Sequence, residues 1–61
     1  MNAVAEIDAI IANLQAARED AVKFDGGKVG APGQRIRAAA QQTKVACDNL
    51  RRGILATQKA E

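Results

Sequence analysis

This chain carries nothing with which to staple itself: its 61 residues include one cysteine, Cys47, and no histidine. A single thiol makes no internal disulfide, and without imidazole a structural zinc site is close to excluded. A chain of this length allows one domain at most, and it buries only about 60% of the surface its unfolded form exposes. Domains so small need a disulfide framework, a metal, a partner chain or very idealised helix packing. The residues available for packing are mostly alanine, with few large aliphatics and a single aromatic, Phe24. Self-association is therefore expected.

The apolar spacing is helical. In the first segment Val4, Ile7, Ile11, Leu14, Ala17, Ala21 and Phe24 recur in steps of three or four, the signature of one helix face. Asn2 is suited to cap that helix, because its side-chain oxygen accepts from the free amides of a first turn. The stretch DGGKVGAPGQ follows, with Gly26, Gly27, Gly30 and Gly33 close together. Gly26 or Gly27 can take the left-handed conformation that closes a helix, and Pro32 suits the first turn of the next. At about 100° per residue, Ala40, Thr43, Cys47, Leu50 and Ile54 fall within about 40° of Ile36. Gly53 weakens this second helix near its end by ~1 kcal/mol relative to alanine.

The fold class expected is all-α: an antiparallel two-helix hairpin with a Gly-rich loop, associating into a helical bundle, with a dimer as the expected form. The single domain spans 1–61, with helices over about 2–24 and about 32–59 and a loop over about 25–31. Ile7, Ile10, Ile11 and Leu14 cover more than one narrow seam, so two hairpins packed together would hide them. The expected contributors to the associated core are Ile7, Ile11, Leu14, Cys47, Leu50 and Ile54.

Charge is divided by sign. The net charge is +2, yet the first half is acidic through Glu6, Asp8, Glu19, Asp20 and Asp25, and the second half is basic. The halves can attract each other, and the second can face an anionic partner. Arg37, Lys44, Arg51, Arg52 and Lys59 lie between about 60° and 160° from Ile36, a basic flank beside the apolar stripe. Glu6 and Asp8 interrupt the N-terminal apolar residues and no basic residue precedes them, the opposite of a signal peptide. No apolar run approaches the roughly 18 residues of a membrane span. A cytoplasmic protein is expected, with no membrane contact.

Catalysis is not expected. No histidine serves acid–base chemistry near neutral pH, and no Cys–His or Ser–His pairing is available. GGKVGAPG lacks the Gly-Lys-Ser/Thr ending of a phosphate-binding loop. No cofactor is implied. Cys47, on the apolar stripe, reads as a small buried hydrophobe with an unreactive thiol. A cross-chain disulfide between symmetry mates is the alternative.

Arg35 and Arg37 fall at the start of the second helix, where free amides and the helix dipole already favour an anion. A phosphate would suit the amides and both guanidinium groups, with Lys28 adding to the site. Equally, Asp25, Asp20 or Glu19 from the end of the first helix can neutralise these arginines within the hairpin. No aromatic residue interleaves with the basic flank, so stacking on single-stranded bases is poorly supported. Backbone contact with a duplex, insensitive to base sequence, is what this charge layout can support.

The stretch GKVGAPGQRIRAAAQQTKVACDNLRRGI resembles the bacterial linker-histone-like family, of the chlamydial histone-like nucleoid type. The matching residues are Ala31, Gly33, Gln34, Arg35, Arg37, Ala39, Leu50, Arg51 and Arg52. The first helix is similar in character only. The resemblance implies a helical, self-associating protein that compacts DNA in the nucleoid. The family's long Lys/Ala/Pro tail has no counterpart in this sequence, the lysine of its turn is displaced to Lys28, and the middle of the second helix is less charged. Binding is therefore expected to be clear at low salt and weak near physiological salt.

The function expected is sequence-insensitive, histone-like binding of double-stranded DNA through Lys28, Arg35, Arg37, Lys44, Arg51 and Arg52. Two other readings fit the same residues: a helical oligomerisation or adaptor module, and a small phage-type regulator binding a protein partner.

Overall fold

The computed structural model describes residues 1–60. The described chain is all-α, with α1 over Ala3–Asp25 and α2 over Ala31–Ala60. Asn2 caps α1: its Oδ1 accepts from the Ala5 amide at 3.0 Å. Glu6 in the first turn adds a carboxylate where the helix dipole favours one. At the other end the Lys28 amide donates to the Lys23 carbonyl and the Gly27 amide to the Phe24 carbonyl, each at 3.0 Å. This closing motif needs a left-handed residue, and Gly27 supplies it with φ 105°. The Gln34 amide then donates to the Gly30 carbonyl at 3.1 Å and opens α2. Pro32, which has no amide to leave unpaired there, is buried.

Contacts between α1 and α2 pair falling numbers with rising ones, so the helices run antiparallel. Asn13 reaches Ala39 and Thr43, Asp20 reaches Arg35, and Met1 lies over Gly53. Beside Ala21 and Gly33 near the turn, the half-buried residues mark the seam: Glu6, Ile10, Asn13, Ala17 and Asp20 on α1, and Ile36, Ala39, Thr43, Ala46, Leu50 and Gly53 on α2. Their alternating steps of three and four are the spacing of helices that cross at a shallow angle.

This seam overlaps the apolar stripes only in part: Ala17, Ala21, Ile36, Thr43 and Leu50 of those stripes are half-buried. Val4, Ile7, Ile11, Leu14 and Phe24 are exposed on α1, and Ala40, Cys47 and Ile54 are exposed on α2. Several of the half-buried positions are small, Ala17, Ala39, Ala46 and Gly53 among them. Bulkier neighbours are left to one side. The expected burial of Cys47 is corrected by the same shift: its thiol is free and exposed.

No hydrophobic residue of the described chain is buried. The molecule measures 50 × 16 × 12 Å, with a radius of gyration of 14.7 Å. A compact domain of this length would have a radius of gyration near 10.5 Å.

Candidate nucleic-acid interface

Helix α2 presents the basic residues. Arg37, Lys44 and Arg51 recur every seven residues, so each lies about 10.5 Å further along the helix, on nearly the same line. The row is about 21 Å long. All three side chains are exposed, and among the described residues none of them forms an ion pair with a carboxylate. Arg52 is also exposed, about 100° round the helix from Arg51, with Lys59 one heptad beyond it. Lys28 sits in the connection between the helices, its backbone spent on closing α1 and its side chain exposed.

Arg35 behaves differently. Its Nη2 lies 2.8 Å from Asp20 Oδ1, and its Nε donates to the same oxygen at 2.9 Å. The hydrogen bond from Arg35, helped by the positive charges of Arg35 and Lys23 and opposed by desolvation, holds the Asp20 carboxyl below its ordinary range. The same hydrogen bond and the Asp20 charge raise Arg35 above the usual arginine range. Of the three carboxylates that could have met the arginines, Asp20 takes Arg35, and Arg37 stays free of it. The two side chains lie about 200° apart around α2, so Arg35 meets Asp20 on one flank of the half-buried Ile36 and Arg37 lies on the other. Arg37 instead lines an open hollow of about 560 Å³ that Phe24, Val29 and Ile36 also wall.

The expected site is thereby divided into four parts. Arg37, Lys44 and Arg51 form one row, Arg52 stands on an adjacent row, and Lys28 lies beyond the end of α2. Arg35 belongs to the contact between the helices. One cross-helix residue escaped the sequence reading altogether. Asn13 donates from Nδ2 to the Ala39 carbonyl at 3.1 Å and to Thr43 Oγ1 at 2.9 Å. The signal was present, since Asn13 stands between Ile10 and Ala17 in the three-four repeat.

Among the described residues, no helix is long and apolar enough to cross a membrane. No cluster of three or more His, Cys, Asp or Glu among them could hold a metal ion. The chain matches no family model, no curated protein and no solved structure.

Proposed function

We propose that this chain is a histone-like protein, an associating helical hairpin that binds double-stranded DNA through the phosphate backbone without reading base sequence. The row of Arg37, Lys44 and Arg51 carries the reading: three unpaired cations in line on one rigid helix. Neighbouring cations are spaced at about three times the 3.4 Å axial interval of phosphates along one strand. Lys28 and Arg52 extend the positive field to either side. Phe24, beside Arg37, is the single aromatic residue near these charges, too little for a row of stacked bases, which favours backbone contact over base stacking. The resemblance of the Ala31 to Arg52 stretch to the linker-histone-like proteins supports the same reading.

The test is a titration of random-sequence duplex across a range of salt. Each phosphate contact contributes about −0.9 to the slope of log affinity against log salt. Combining Arg37→Ala, Lys44→Ala and Arg51→Ala should flatten that slope by roughly 2.7 per chain and weaken all sequences alike. Arg35→Ala, which removes a charge already met by Asp20, should change the slope far less. No binding by the unaltered protein at low salt, or an unchanged slope in the triple variant, would overturn the proposal. The exposed apolar face of α1 favours a second reading, an adaptor that docks on a protein. Tight capture of one protein partner with no duplex binding would decide for it.

A further inference from the structure

We propose that a second copy of this chain packs its α1 against α1 of the first, antiparallel, about a twofold axis between Ile7 and Ile11. This deepens the associating hairpin of the preceding section by naming the surface and its symmetry. A folded monomer of 6.4 kDa is expected to expose about 3800 Å². This chain exposes 4807 Å², an excess of roughly 1000 Å², where a standard interface takes about 800 Å² from each partner. The surplus is therefore the size that one copy of the same chain would remove.

Most of the exposed large apolar side chains of the two helices lie on α1, with Val45, Ile54 and Leu55 on α2. Val4, Ile7, Ile11 and Leu14 keep 71, 43, 46 and 48% of their surface exposed. They step by three, four and three, the spacing that fits knobs into holes on a facing helix. The stripe is about 15 Å long, and no charged side chain falls within it before Arg18.

Its partner must be largely uncharged there, which the same stripe is. An antiparallel twofold between Ile7 and Ile11 sets Ile7 against the other copy's Ile11 and Val4 against its Leu14. Such an interface is self-complementary, as an isologous contact must be. It also places Glu6 and Asp8 level with Ala12 and Ile10 of the second copy. A parallel pairing would bring each carboxylate level with itself, and like charges brought together oppose association. The α2 edge of this face carries Arg37, Lys44 and Arg51, which would repel their own counterparts. Closure therefore centres on α1, and the basic rows stay at the rim.

The experiment is sedimentation equilibrium of the purified chain without nucleic acid. The unaltered protein should sediment as a dimer. Ile11→Ala removes two side chains per dimer and should raise the dissociation constant at least ~100-fold. Val45→Ala, at an exposed site of α2 off this face, should leave it within about threefold, the scatter of ordinary surface substitutions. Both changes install the best helix former, so neither weakens its helix.

Orientation is read by disulfide trapping in a Cys47→Ser background. A mixture of Ile7→Cys and Ile11→Cys chains should give the mixed disulfide faster than either like pair. A fully helical monomer at micromolar concentration, equal effects of Ile11→Ala and Val45→Ala, or dominant like pairs would each overturn the proposal. A failed salt titration with a normal dimer would instead count against duplex binding alone.

Discussion

Asn13 makes a partly buried polar cross-link between the helices, and removing it tests whether the seam is as described. Its Nδ2 donates to the Ala39 carbonyl and to Thr43 Oγ1. The Ala39 carbonyl also accepts its own helical bond within α2, so Asn13→Ala leaves no orphaned acceptor there. Two partly buried hydrogen bonds contribute roughly 1–3 kcal/mol net. Alanine returns up to about 0.7 kcal/mol in helix propensity, so the variant should lose roughly 0.3–3 kcal/mol. The share owed to Thr43 is isolated by a double-mutant cycle with Thr43→Val, which keeps the branched shape and deletes the hydroxyl. The coupling should be about 0.5–1.5 kcal/mol. Urea unfolding followed by far-ultraviolet circular dichroism is the assay, at one fixed protein concentration, because association shifts apparent stability. A coupling below about 0.3 kcal/mol, the limit of additivity for independent sites, would refute the placement of Asn13 against Thr43.

Two further outcomes follow from the packing and the ion pair. Gly53→Ala should stabilise the chain by up to ~1 kcal/mol, a rise in Tm of roughly 4–8 °C. The new Cβ meets only the methyl and sulfur of Met1, at 2.9 and 3.2 Å, at the free end of a flexible side chain. A lower Tm in a thermal scan would mean that Met1 cannot move aside. The Asp20 carboxyl is held below its ordinary value of 3.8, so its contribution is present above that value and is lost as pH falls through the lowered one. Acid titration of helicity should therefore show a low-pH loss that Asp20→Asn removes, and Arg35→Ala should remove the same loss. Arg35 adds no pH dependence in the accessible range, because its raised pKa would matter only in extreme alkali.

The sequence by itself determined the helical character of the chain. Three-four apolar spacing, an asparagine ahead of α1 and a glycine cluster before Pro32 are local signals, and local hydrogen bonding answers them. It also divided the charge, with an acidic α1 and a basic α2, since composition alone fixes that. Only the tertiary structure decided which apolar residues meet. A helical wheel shows how wide a stripe is but not where along its width another helix comes closest. That line depends on both helices at once, and the half-buried positions of α2 include Ala39, Ala46 and Gly53 rather than Ala40, Cys47 and Ile54. The same choice of line rotated Ile7, Ile11 and Leu14 out of the seam and exposed them. The fate of the paired arginines was equally undecided, because Asp25, Asp20 and Glu19 were all within reach of the turn. The antiparallel register brings Asp20 level with Arg35, and the two-residue step of about 200° sets Arg37 on the other flank of the helix contact, where no carboxylate of the described residues pairs with it.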